Sequence, residues 1–324
     1  MSNSRTRPLI RALLVTASCL ILAVSFLGCE TNSTSGTMVP VAQQRYAGTG
    51  PIQVTCTTGM VADLVRNIAG PRAEVTQLMA AGVDPHLYKS STRDIAALGS
   101  ADLIFYSGLH LEGKMTDLFD ELAKSKPAIA VAEQIDEAKL LHDGGTHDPH
   151  VWFDVSLWKA AGQQVLETLE QFDPAEAENY QGRAQAYFAK LDALDTFCRE
   201  ELATIPQDQR VMITAHDAFR YFGKAYGIEV RGIQGVSTDS EAGVKHINEL
   251  VDFLVARKIK SIFVETSVSD KNVKSLLEGC RAQNHEVKIG GQLYSDAMGD
   301  PGTPTGDYEG MVRHNVTTIV QALQ

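Results

Sequence analysis

Three histidines and one aspartate recur in matching local contexts along this 324-residue chain. His86 lies in Gly82-Val83-Asp84-Pro85-His86-Leu87-Tyr88, and His150 in Thr146-His147-Asp148-Pro149-His150-Val151-Trp152. His216 ends a strand-like run, Val211-Met212-Ile213-Thr214-Ala215-His216, and Asp296 sits in Gln292-Leu293-Tyr294-Ser295-Asp296-Ala297-Met298. Three imidazoles and a carboxylate complete a coordination shell for a divalent transition metal. The ligands are 64, 66 and 80 residues apart, so no local finger can gather them, only a large fold. Asp-Pro-His occurs twice, at 84–86 and 148–150, and each proline fixes the backbone just before its histidine. Asp296 taken alone reads as a helix cap or loop acid; the four-fold pattern makes it a ligand.

The elements that would carry these residues alternate in type. Strand-like runs at 52–56, 74–79, 103–106 and 128–132 interleave with helical patterns at 60–69 and 92–98. The stretch 155–205 is helical almost throughout, and 175–202 predicts one helix about 42 Å long at 1.5 Å per residue. Alternation resumes with strands at 211–214, 229–233, 260–264 and 286–289 and helices at 219–226, 244–257, 272–283 and 309–323. The fold class read from this is α/β: two (β/α) lobes with parallel sheets, joined by one long rigid helix. The division is 1–28 signal peptide, 29–50 flexible tether, 51–154 N-terminal lobe, 155–205 helical region, and 206–324 C-terminal lobe. In open α/β sheets ligands gather at the carboxyl ends of strands. That places His86 and His150 on one lobe, His216 and Asp296 on the other, and the metal in the cleft between them. Glu265, ending the 260–264 strand, is a candidate acceptor for an imidazole N–H.

The N-terminus reads as an export signal. Arg5, Arg7 and Arg11 precede a 16-residue apolar run, Ala12 to Leu27, which stops at Gly28-Cys29. The run is short for a membrane span of about 20 residues. Cys29 in that position is the candidate lipidated residue of a bacterial lipoprotein. Phe26 and Leu27 depart from the usual Leu and small residue, so an uncleaved anchor or a plain export signal stays open. Residues 30–50, rich in Thr, Ser, Gly and Gln, read as the tether. Cys56, Cys198 and Cys280 are far apart and sit in apolar or helical contexts, which reads as buried free thiols. Without the signal, 26 basic residues face 40 acidic ones, a net charge of −14. That balance makes the chain a poor candidate for electrostatic binding to nucleic acid or anionic lipid. His142 and His147, on a Gly-containing segment close to His150, read as a solvated loop, or as weak surface metal ligands.

Taken together, these residues resemble the metal-binding lipoproteins of bacterial zinc and manganese ABC transporters, the cluster A-I (cluster 9) solute-binding family. The resemblance rests on Asp84 to Tyr88, His150-Val151-Trp152-Phe153-Asp154, Ala215 to Phe222, and Ser295 to Asp300, and runs from Ile52 to Leu323. With His as third ligand and Asp as fourth, the chain most resembles the treponemal periplasmic zinc/manganese-binding subtype. The resemblance implies His86, His150, His216 and Asp296 as ligands of Zn2+ or Mn2+, with Fe2+ a further candidate cargo. It also implies export, anchoring to the cytoplasmic membrane through an N-terminal lipid, delivery to a transmembrane permease, and no enzymatic activity. A monomer is expected, and a surface adhesin on the same fold is the alternative role. Three imidazoles favour Zn2+ thermodynamically, because Mn2+ is the weakest in the Irving–Williams order; a carboxylate binding through both oxygens would give five-coordination, which Mn2+ accepts. A zinc hydrolase fits poorly. Four protein ligands leave no position for a nucleophilic water, and no His-Glu-x-x-His or Gly-x-Ser-x-Gly occurs.

Overall fold

The computed structural model describes residue 41 and residues 44–324. The export signal and Cys29 therefore lie outside the described residues, as does most of the tether. The sequence reading ends the tether at Gly50, but the chain docks earlier. The Tyr46 N–H donates to the Phe172 carbonyl at 2.7 Å, its ring packs on Phe172, and Arg72 lies over its face. A single aromatic ring with somewhere to be buried outweighs the polar composition around it. No helix among the described residues is long and apolar enough to cross a membrane.

The N-terminal half is a parallel sheet of β1 (Ile52–Cys56), β2 (Ala73–Gln77), β3 (Leu103–Tyr106) and β4 (Ala128–Ala130), in the order β2-β1-β3-β4. Its helices are α1 (Gly59–Ala69), α2 (Thr92–Ser100) and α3 (Thr116–Leu122). Thr58 caps α1 by accepting from the Val61 N–H, and Ser91 with Asp94 forms a reciprocal capping box on α2. A two-strand hairpin follows, β5 (His142–Asp143) and β6 (Thr146–His147). Then come α4 (Val155–Phe172), capped by Asp154, and α5 (Ala177–Ala203).

The C-terminal half holds β7 (Val211–His216), β8 (Glu229–Gln234), β9 (Ser261–Glu265) and β10 (Lys288–Leu293), with α6 (Arg220–Tyr226), α7 (Val244–Arg257), α8 (Lys271–Ala282) and α9 (Tyr308–Leu323). β7 pairs with β8 and β9 with β10, both parallel, and β7 lies beside β9. These are two two-stranded sheets side by side, and their spatial order, β8-β7-β9-β10, matches the strand order of the first half. Every residue of β7 is buried, as expected for a central parallel strand covered on both faces.

The two halves share one apolar core. It contains Phe105 and Trp158 from the first, Tyr308 and Ile319 from the second, and Tyr180, Leu191 and Leu202 of α5 between them. At 27 residues α5 spans about 40 Å. It is tied to α1 through Arg183 to the Ile68 carbonyl and Tyr187 to Asp63, and to α6 through Arg199 to the Ala225 carbonyl. Trp152 bridges directly, its Nε1 donating to the Ser295 carbonyl while its own carbonyl accepts from the Tyr308 hydroxyl.

Candidate metal centre

Each of the four candidate ligands leaves the carboxyl end of a strand or the loop that follows it. His86 lies in the loop after β2, His150 just past the hairpin, His216 at the end of β7, and Asp296 beyond β10. β7 and β9 lie side by side, and in α/β folds ligands gather at the carboxyl ends of such neighbouring strands. His216 and Glu265 occupy those two ends.

The duplicated Asp-Pro-His is an Asx turn used twice. The His86 N–H donates to Asp84 Oδ1 at 2.9 Å, and the His150 N–H donates to Asp148 Oδ1 at 3.0 Å. The remaining capacity of each aspartate is then spent differently. Asp148 Oδ1 also accepts from His150 Nδ1 at 2.8 Å, whereas Asp84 Oδ2 accepts from the Thr238 hydroxyl at 2.6 Å. Thr238 belongs to the C-terminal half, so this bond fixes the His86 loop across the cleft.

The structure brings His86, His150, His216 and Asp296 into one cluster, 5%, 0%, 0% and 1% exposed. His150 Nε2 lies 3.3 Å from His86 Nε2 and 3.4 Å from His216 Nε2. Asp296 Oδ1 is 3.3 Å from His150 Nε2, and Oδ2 is 3.3 Å from His216 Nε2. Metal–nitrogen bonds of roughly 2.0–2.1 Å arranged as a tetrahedron have edges of about 3.3–3.4 Å. The two Nε2–Nε2 spacings match such edges, and Asp296 turns Oδ1 to His150 and Oδ2 to His216 at a similar distance.

Tautomers make the case chemical as well as geometric. His150 Nδ1 faces Asp148, and His216 Nδ1 faces Glu265 Oε2, while Glu265 Oε1 accepts the His216 backbone N–H at 2.9 Å. With the proton held on Nδ1, each Nε2 presents a lone pair to the centre. Lone pairs and a carboxylate converging in a dry pocket repel one another unless a cation lies between them. Asp296 Oδ1 is buried with no hydrogen-bond donor among the described residues. Burial pushes the His86 pKa down to about 3. Burial also disfavours charge on His216, but Asp296 and Glu265 outweigh it and raise that imidazole well above its ordinary value. Burial works against the Asp296 carboxylate, and His216 and His150 reverse it, holding Asp296 well below the usual range.

Glu265, read from the sequence as an acceptor for an unspecified imidazole N–H, has its Oε2 against the Nδ1 of His216. Asp148 was missed as a site residue, although its signal was the duplicated tripeptide itself. Ser267, also missed, reaches Asp296 Oδ2 at 3.5 Å and Ser295 Oγ at 2.8 Å; nothing in its sequence context marks it.

Against known proteins, the family profile described as "ZnuA: Zinc-uptake complex component A periplasmic" matches residues 54–322. The chain belongs to this family. It is 46% identical over 310 residues to the manganese-binding lipoprotein MntA of Bacillus subtilis, covering 95% of this chain and 98% of that one. It is 48% identical over 278 residues to the zinc-binding protein TroA of Treponema pallidum, covering 86% and 90%. The solved structure of the Treponema pallidum periplasmic zinc-binding protein superposes with a TM-score of 0.83, covering 85% of this chain and 99% of that one. The manganese-bound periplasmic metal-binding protein from Candidatus Liberibacter asiaticus, 25% identical, superposes at 0.73 over 84% and 99%. The α/β architecture with parallel sheets and a long helix, and the treponemal likeness read from the sequence, both hold.

Proposed function

We propose that this chain captures a divalent transition metal ion, Zn2+ or Mn2+, outside the cytoplasmic membrane and hands it to the permease of an ABC transporter. His86, His150, His216 and Asp296 are the proposed ligands. The observation that carries the reading is the convergence of Nε2 atoms and a carboxylate, at spacings of 3.3–3.4 Å, in a pocket closed to solvent. The relatives support it, one named for zinc and another for manganese. The ion is cargo. Four protein ligands leave no open position for a nucleophilic water, so the chemistry is ligand exchange without bond cleavage.

Capture exchanges the hydration shell for three neutral imidazoles and a carboxylate, displacing whatever proton the empty cluster holds. Asp148 and Glu265 hold the imidazoles in the binding tautomer and raise their basicity. Both oxygens of Asp296 face the centre, so monodentate binding gives four-coordination and bidentate binding gives five. Because α5 packs on both halves, loading and release are small adjustments of the His86 and Asp296 loops and no wide hinge. Export through the N-terminal signal, lipidation at Cys29, and action as a monomer belong to the same proposal.

The test is uptake of radioactive Zn2+ and Mn2+ by cells whose single copy carries His216→Ala. Loss of uptake with the protein still exported at its normal level supports transport. Undiminished uptake would rule out this site as the route.

A further inference from the structure

Five carboxylates gather at the buried centre. Asp296 faces the histidines directly, Asp148 and Glu265 stand behind two of them, Asp84 turns the His86 loop, and Asp217 follows His216 in the chain. Among the described residues, a single permanent cation lies within ion-pair distance of any of the five: Arg220, the first residue of α6. Its Nη1 is 3.5 Å from Asp148 Oδ2 and its Nε 3.7 Å from Asp217 Oδ2, while Nη2 donates to the His142 carbonyl at 3.0 Å. The Asp148 side chain is wholly buried and that of Arg220 is 28% exposed, so the guanidinium stands at the rim with Nη1 turned inward. Nη1 and Oδ2 are both buried with no hydrogen bond to them, so Arg220 meets Asp148 as a charge and not as a donor.

We propose that Arg220 sets the affinity of the centre: its fixed positive charge weakens the hold on the cargo ion and speeds its release. The inference rests on the reading of His86, His150, His216 and Asp296 as the ligands. Its physical basis is the sign of the charge. A cation stationed among the carboxylates stabilises the empty centre, whose negative charge is otherwise unbalanced, and repels the dication that arrives. The line from guanidinium to ion runs through Asp148 and His150. By pairing with Asp148, Arg220 draws that carboxylate's charge away from the His150 N–H, and a less polarised imidazole is a weaker donor to the ion. Both effects act in the same direction. Glu265 has no Lys or Arg in ion-pair distance among the described residues, so His216 stays the stronger donor of the two.

The experiment is chelator competition for Zn2+ on the full chain, with stopped-flow release into excess chelator, comparing the native protein with Arg220→Gln, Arg220→Met and Arg220→Lys. The two neutral variants should bind about tenfold more tightly, through slower release, and the gap should narrow as ionic strength rises. Arg220→Lys keeps the charge and should stay within about threefold of the native affinity. Gln can still donate to the His142 carbonyl and Met cannot, so an effect common to both comes from the charge and not from the hairpin contact. Neutral variants that bind no tighter than the native protein would overturn the inference. So would a tightening that Arg220→Lys shares, or one that salt leaves unchanged. Failure of the ligand reading would appear separately, as a native Zn2+ affinity indifferent to His216→Ala.

Discussion

Glu265 and Asp148 do the same job for different histidines, but they do it with different atoms, and that difference can be measured. Glu265 uses both oxygens: Oε1 accepts the His216 backbone N–H and Oε2 faces Nδ1. Asp148 uses Oδ1 for both, leaving Oδ2 to an Arg220 Nη1 3.5 Å away. In Glu265→Gln one of the two positions becomes an NH2 group. Either the backbone N–H loses its acceptor, or His216 must move its proton to Nε2, where it points at the metal. In Asp148→Asn the amide oxygen can take the Oδ1 position and keep both bonds, the NH2 facing Arg220 at the edge of the site. Removing a carboxylate behind a ligating histidine costs about 10- to 100-fold in metal affinity, or roughly 1.4–2.8 kcal/mol. Glu265→Gln should fall at the upper end and Asp148→Asn at the lower, about tenfold or less. Competition for Zn2+ against a chromophoric chelator reads both on one scale. An Asp148→Asn loss equal to or larger than that of Glu265→Gln would refute the tautomer argument.

Thr238→Val should weaken Zn2+ binding severalfold, because Asp84 loses the donor that ties the His86 loop across the cleft; the same chelator competition reads it, and an unchanged affinity would mean the loop needs no such tie. Asp63 on α1 is buried against Tyr187, and burial raises its pKa to about 6 from an ordinary 3.8. A raised carboxyl pKa stabilises the fold at acid pH. That contribution is whole below about pH 4 and is lost as pH rises through about 6, a difference of about 3 kcal/mol by pH 7. Asp63→Asn should therefore raise the denaturation midpoint at pH 7.5 and leave it nearly unchanged at pH 4; an equal shift at both values would contradict the assignment. Gly182, exposed in the second turn of α5 with open space where a Cβ would stand, should accept Gly182→Ala with a gain of about 1 kcal/mol by chemical denaturation and no change in metal affinity.

α7 and α9 were legible from their apolar periods, β1 from its β-branched run and α5 from its good helix formers; all four fall within a residue or two of the ranges read from the sequence. What escaped had weak local signals. α3 has Met115 at its N-cap and no side-chain cap bond, so nothing announces it. β10 carries Gly290 and Gly291 at a register shift, which hid its second half and made 286–289 look like the strand. The β5–β6 hairpin is two residues per strand, too short for any period, and only its Gly-Gly turn betrays it. The shared strand order of the two halves leaves no trace at residue level. The same packing can be built from many side-chain sets, so topology repeats where sequence does not. The four clustered residues were named from the sequence because their types and contexts repeat. The roles of Asp84 and Asp148 were not, because an Asx turn is visible only once the backbone N–H two residues on can be located.

The most direct test of the buried centre is anomalous diffraction at the zinc edge from crystals of the Zn2+-loaded protein. The expected result is a full-occupancy peak among the Nε2 atoms of His86, His150 and His216 and the Asp296 carboxylate, about 2.0–2.2 Å from each. A fully occupied zinc elsewhere, with that point empty or with Asp296 turned away from the ion, would contradict it.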